Sequence, residues 1–131
     1  MDRLAIVIVT FKRQELLGSL FDSIAALTVA PWRIVVVDNE NSPKTAQMAA
    51  DLSARLAAQC GETPSEPDSA GGVERVVYDP QETNTGGSGG FSEGVKRAFE
   101  LGAEWFWVMD DDVAVLPEAL ERLEPWSDRY D

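Results

Sequence analysis

At 131 residues, with 44% hydrophobic and 26% charged side chains, the chain is one domain's length and can bury a core without disulfide or metal staples. Its 23 acidic against 11 basic residues give a formal charge of -12, which repels nucleic-acid backbones and anionic membranes, so nucleic acid is not an expected partner. The apolar runs are far shorter than the roughly 18 residues that cross a bilayer, the first residues enter a strand-like run and are not expected to act as a signal peptide, and Cys60 has no cysteine to pair with. A reducing cytoplasm is the expected setting.

In chain order, Leu4–Val9 reads as a first strand, and Leu16, Leu20, Ile24 and Leu27 then fall on one face of a helix. A second strand covers Arg33–Val37. Ser42 and Pro43 mark the start of a second helix with Met48, Leu52 and Leu56 on its apolar stripe. The polar, glycine- and proline-rich stretch from Cys60 to Gly72 reads as a surface loop. A third strand follows over Glu74–Tyr78. The third helix carries Phe91, Val95, Ala98 and Phe99 and ends at Gly102. The fourth strand spans Glu104–Met109, with Trp105 and Trp107 on one face as core. A short fourth helix begins near Pro117 and buries Leu120 and Leu123.

The strands are near-continuous in Val and Ile, the pattern of strands buried on both faces of a parallel sheet. Right-handed crossovers turn β-α-β-α-β-α-β-α into an α/β fold: an open, mostly parallel sheet with helices on both faces, Rossmann-like, as a single domain over residues 1–131. Ligands of such sheets bind outside the carboxyl ends of the strands. Here those ends carry Thr10-Phe11-Lys12-Arg13, then Asp38-Asn39, then Asp79 leading to Asn84 and a glycine cluster, then Asp110-Asp111-Asp112.

The glycine cluster fits neither standard nucleotide fingerprint. Counting from Gly87 and Gly89, Ser92 stands where the dinucleotide pattern needs glycine, and Val95 stands where the Walker pattern needs lysine. It is either a loop capping the third helix or a loop whose backbone approaches a ligand. Three adjacent carboxylates repel one another unless water or a cation screens them. Alternation puts Asp110 and Asp112 on one side and Asp111 on the other, and two carboxylates on one side suit a hard divalent ion with open positions for phosphate oxygens. The competing reading is a solvated acidic turn; an EF-hand is excluded by the absent central glycine. Asp38 and Asn39 could equally cap the strand or the turn after it. Lys12 and Arg13 lie at the ligand edge, whereas Lys96 and Arg97 read as a solvated helix face.

Taken together, "VIVTFKRQELL", "IVVVDNENS", "NTGGSGGFSEGVKRAFELG" and "WFWVMDDDV" resemble the family 2 glycosyltransferases of the GT-A fold, closest to the bacterial rhamnosyl- and galactofuranosyl-transferase branch. The resemblance implies roles by position. Thr10, Phe11 and Arg13 would line a nucleotide pocket, and Asp38 would accept the imide N–H of a uracil or thymine ring. Asn84, Gly86 and Gly87 would contact the nucleoside and donor sugar. Asp110 and Asp112 would hold Mn²⁺ or Mg²⁺ against the diphosphate, with Asp111 near the ribose or sugar. The implied partners are a UDP- or dTDP-linked sugar donor and a glycan or lipid-linked acceptor. Peripheral membrane association through further regions is also implied, placing the full-length protein at the inner face of the membrane.

The family also needs an acceptor site, a carboxylate base and often a histidine. This chain stops soon after the triple aspartate and has no histidine, so it is expected to be a donor-binding half, with no catalytic base of its own and with apolar surface that favours homo-oligomers. Two other functions compete. A nucleotidyltransferase would carry a glycine-rich basic loop after the first strand, where this chain reads "TFKRQE". A non-catalytic sugar-nucleotide-binding module would bind without transfer.

Overall fold

The structure is a computed structural model that describes residues 3–61, 75–84 and 86–127. The elements are β1 (Leu4–Thr10), α1 (Gln14–Ala25), β2 (Arg33–Asp38), α2 (Pro43–Gln59), β3 (Val76–Pro80), α3 (Gly86–Leu101), β4 (Trp105–Asp110) and α4 (Ala119–Ser127). The four strands form one parallel sheet in the order β3-β2-β1-β4. The chain therefore winds outward from β1 through β2 to β3 and then returns across the sheet to place β4 on the other side of β1. The strand order reverses between β1 and β4.

Alternation along the strands divides the interior in two. Leu4, Ile6, Ile8, Ile34 and Val36 meet Leu17, Leu20 and Ile24 of α1 and Leu52 and Leu56 of α2. Ala5, Val7, Val9, Val35 and Val37 form the other face, with Ala98 of α3. Every residue of β1 is buried, as the apolar run requires. β3 and β4 are edge strands, and α3 lies chiefly across β1 and β2. Burial on both faces runs along the two central strands and holds at the start of β3, where Val76 and Val77 are buried on opposite faces, whereas Phe106 and Val108 of β4 stay exposed while Trp105 and Trp107 pack against the α1 side.

α3 packs unusually close. A Cβ on Gly90 would lie 2.6 Å from Cγ1 of Val9, and one on Gly94 would lie 2.4 Å from Cγ1 of Val7. Residues four apart share a helix face, so these two glycines let the helix backbone rest on the valines of β1. Gly90, the last glycine of the cluster, and Gly94 beyond it are therefore required by packing, which offsets the poor helix propensity of glycine. The helix ends as expected at Gly102 (φ +109°), with Ala103 N–H donating to the carbonyl of Ala98 and Gly102 N–H to that of Phe99.

Several boundaries and faces differ from expectation. β3 runs two residues later than Glu74–Tyr78, ending on Pro80, which an edge strand tolerates; Glu74 and residues 62–72 of the expected loop lie outside the described residues. Leu17 and Phe21, not Leu16, fill the core, and Leu16 is exposed. Phe99 is 70% exposed, because Gly90, Gly94 and Ala98 take the sheet-facing positions of α3. α4 buries Leu120 but not Leu123. Ser42 precedes α2 without a side-chain cap; its carbonyl accepts from Ala46 N–H instead. Among the described residues no helix is long and apolar enough to cross a membrane.

Candidate functional site

At the strand-order reversal a cleft of about 270 Å³ opens beyond the carboxyl ends of β1 and β4. Thr10, Phe11, Arg13, Asn39, Asn84, Gly86, Asp110 and Asp111 line it, together with Val9. The register explains the gathering: Val9 pairs with Asp110, and Thr10 pairs with Asp38, so the polar ends of three strands finish at one level.

The loop after β1 splits its two cations. Lys12 has a left-handed backbone (φ 55°) and its ammonium lies over the Phe11 ring, 5.2 Å from the centroid. Arg13, at the start of α1, turns the other way. Its Nη1 donates to Oδ1 of Asp111 at 3.4 Å and lies 3.9 Å from Oδ2 of Asp112. Thr10 Oγ1 donates to the second oxygen of Asp111 at 2.9 Å. Asp111 is thus buried and held by two donors, as a carboxylate out of water must be. Its neighbours differ: Asp110 is exposed and lines the cleft, and Asp112 is about half exposed. Among the described residues no three His, Cys, Asp or Glu side chains converge as a closed metal cage.

Asp38 is not on the cleft. It is fully buried, with one oxygen accepting from Glu40 N–H at 2.9 Å and the other from Ser42 N–H at 2.8 Å and Tyr78 O–H at 2.6 Å. With both oxygens engaged, the carboxylate fixes the 39–42 turn, in which Asn41 takes φ 57°. Asp38, expected to accept the imide N–H of a base, thus has both oxygens held by Glu40, Ser42 and Tyr78 in this structure. Burial, followed by the carboxylate beside it, raises the Tyr78 hydroxyl well above its usual range, so it stays a neutral donor.

The residue that reaches the cleft from β2 is Asn39, which lay among the strand-end residues but not among those expected to bind ligand. Its Nδ2 donates to the Gly86 carbonyl at 3.2 Å. Alternation held the clue: Val35 and Val37 face α3, so residue 39 continues to that side and Asp38 to the other. Asn84 Oδ1 accepts from Gly86 N–H at 2.8 Å, an Asx turn that opens α3, where Gly86 takes φ +74°. Gly87 follows in the first turn of the helix.

Asp79 ends up outside the cleft lining, facing α3. Burial is the main cause of its raised pKa, with the charge of Glu93 next and Arg97 acting against it. Its Oδ2 is buried without a hydrogen-bond partner among the described residues.

A polar cleft at the reversal point of a parallel sheet is where nucleotides bind in many α/β proteins, and the sequence decides among them. Residues 5–131 match the pattern described as Glycosyl transferase family 2. The chain belongs to this family. Galactofuranosyltransferase GlfT1 of Mycolicibacterium smegmatis is 32% identical over 106 residues, covering 81% of this chain and 28% of that protein. GlfT1 of Mycobacterium tuberculosis strain H37Rv matches at the same identity, with 29% of its length covered. The family expected from the motifs, and the kinship to galactofuranosyltransferases, thus hold. Among solved structures, S. aureus TarS 1–349 in complex with UDP superposes with a TM-score of 0.70 at 18% identity, covering 98% of this chain and 32% of that one. Mannosyltransferase PcManGT from Pyrobaculum calidifontis, in complex with GDP-Man and Mn²⁺, superposes at 0.66 and 16% identity, covering 95% and 32%. These likenesses share the GT-A-type sheet. The family 2 chain described here spans under a third of the length of the curated relatives it matches.

Proposed function

We propose that this chain is the donor-binding half of a metal-dependent, inverting glycosyltransferase that moves a sugar from a UDP- or dTDP-linked donor to a glycan or lipid-linked acceptor. The observation that carries this reading is the cleft at the β1/β4 reversal, where Thr10, Phe11, Arg13, Asn39, Asn84 and Gly86 converge with Asp110 and Asp111 of the acidic triplet. Membership in glycosyl transferase family 2 supports it, as do the UDP and GDP-Man complexes of proteins that share the fold.

The groups sort by chemistry. Phe11, an exposed ring on the cleft, supplies an apolar face for a base. Asn39 adds a carboxamide, both donor and acceptor, to the cleft beside Asp38, whose carboxylate is the acceptor proposed for the imide N–H of the base. Gly86 and Gly87, at the start of α3, bring backbone close to the nucleoside and sugar without a side chain between. Asp111, which lines the cleft, is held in place by Thr10 and Arg13 and is the residue proposed to meet the ribose or sugar.

The donor set fits a divalent ion. Asp110 and Asp112 are exposed carboxylates on either side of a buried one, hard oxygen ligands that leave positions open for phosphate oxygens. Mn²⁺ or Mg²⁺ held there would neutralise charge on the departing diphosphate. In the transfer itself the acceptor hydroxyl oxygen bonds the anomeric carbon from the face opposite the diphosphate. The bond from that carbon to the phosphate oxygen breaks, and the hydroxyl proton passes to a base outside this chain. The chain's own part is to bind and orient the donor. A thermal-shift comparison tests the reading: with Mn²⁺ present, UDP and dTDP should raise the melting temperature and GDP should not. Equal shifts for all three, or none, would refute it.

A further inference from the structure

The cation of Arg13 sits where a divalent ion would need access. Its guanidinium is about half exposed, yet it leans over the acidic turn, 3.4 Å from Asp111 and 3.9 Å from Asp112, while Lys12 in the same loop is turned onto Phe11. Asp112 has no other hydrogen bond or ion pair recorded among the described residues. Arg13 also lines the cleft, so the same side chain can reach either the acidic turn or an anion in the cleft.

From this we infer that Arg13 is a coupling residue, which screens Asp112 while the cleft is empty and moves to the diphosphate when a donor binds, freeing Asp112 for the metal. The inference rests on the donor-binding reading above and adds to it an order of events. Two cations sharing one carboxylate repel each other, so the divalent ion binds weakly while Arg13 stays and more tightly once an anion draws it away. The backbone permits the exchange without refolding. Arg13 carbonyl accepts from Leu17 N–H at 2.9 Å and fixes the start of α1, while the side chain beyond it is free to swing from solvent. Thr10 keeps its bond to Asp111 throughout, which leaves the acidic turn in place when Arg13 departs.

The test is the affinity of the protein for Mn²⁺ by calorimetry, without and with saturating UDP, in the wild type, Arg13→Gln and Arg13→Lys. Without UDP, Arg13→Gln should bind Mn²⁺ roughly fivefold more tightly than wild type, the scale of one partly exposed charge interaction. The gain in Mn²⁺ affinity on adding UDP should shrink in that variant, and Arg13→Lys, which keeps the charge, should fall between the two. Circular dichroism checks that each variant is folded; should Arg13→Gln fail that check, Arg13→Lys against wild type decides by the same ordering. Mn²⁺ affinity unchanged or weakened by loss of the arginine would overturn the coupling role alone. No Mn²⁺ binding to UDP-loaded wild type would overturn both this role and the metal reading beneath it.

Discussion

Thr10 at the end of β1 and Asp111 just past the end of β4 are 101 positions apart and joined by a buried hydrogen bond of 2.9 Å. It ties the loop that supplies Phe11 and Arg13 to the turn that supplies the acidic triplet. The methyl group of valine in place of the hydroxyl would keep the shape and remove the donor. Thr10→Val should lower stability by about 1.5–3 kcal/mol, the range for a hydrogen bond to a charged group. It should also weaken metal-dependent nucleotide binding, because Asp110 and Asp112 flank the loosened residue. Urea melts and UDP titrations measure the two effects separately. A variant with full stability would show that the bond does not hold the turn.

The close seating of α3 predicts an inverted response to a usually favourable change. Gly→Ala within a helix ordinarily gains about 1 kcal/mol. Gly94→Ala should instead cost about 1–3 kcal/mol, since the new methyl would meet Cγ1 of Val7 at 2.4 Å. Removing the obstacle should repair it: Val7→Ala should be less harmful in the Gly94→Ala background than alone. Additive losses in that double-mutant cycle would contradict the contact.

Tyr78 and Asp38 give an alkaline signature. The Tyr78 pKa is raised above its usual 10.0, chiefly by burial and then by its hydrogen bond to Asp38. Stability from a raised group is complete below the unfolded value and lost as pH climbs through the folded one. Tyr78→Phe should therefore cost about 1.5–3 kcal/mol at neutral pH, and the difference from wild type should narrow above pH 10.0. Melts between pH 7 and pH 11 decide it; a gap independent of pH would argue against the raised hydroxyl.

Asp79 predicts the same direction in acid. Its raised carboxyl favours the folded state when protonated, so its contribution is whole below the usual value of 3.8 and declines as pH rises through the folded value. Asp79→Asn removes that cost of ionisation and should melt higher than wild type at neutral pH. The advantage should vanish near pH 3. A variant less stable than wild type at pH 7 would mean that the ionised carboxylate is wanted there.

The central strands were legible because their Val and Ile runs have no reading except burial on both faces. The edges were less so, since one-sided cover is decided by where α3 lies rather than by the β4 sequence. A helical stripe fixes an apolar face only to within about one residue, which is why Leu16 stood in for Leu17 and Phe99 was counted beside Ala98, which alone of the two is buried. The glycines from Gly86 onward look like a loop by propensity. They form a helix because Val7 and Val9 lie against Gly94 and Gly90. At the site, residue types placed the acidic triplet and Phe11 at the ligand edge. Which of Asp38 and Asn39 faces the cleft was decided by strand alternation, and the pairing of Arg13 with Asp111 needed the fold itself.

The decisive measurement is a calorimetric titration of UDP into the protein with Mn²⁺, repeated with chelator and with the Asp110→Ala/Asp112→Ala variant. Binding that needs Mn²⁺ and disappears with the two exposed carboxylates is the result predicted for a donor-binding half. UDP binding of equal strength with chelator, or in the variant, would contradict a metal held between those aspartates and the diphosphate.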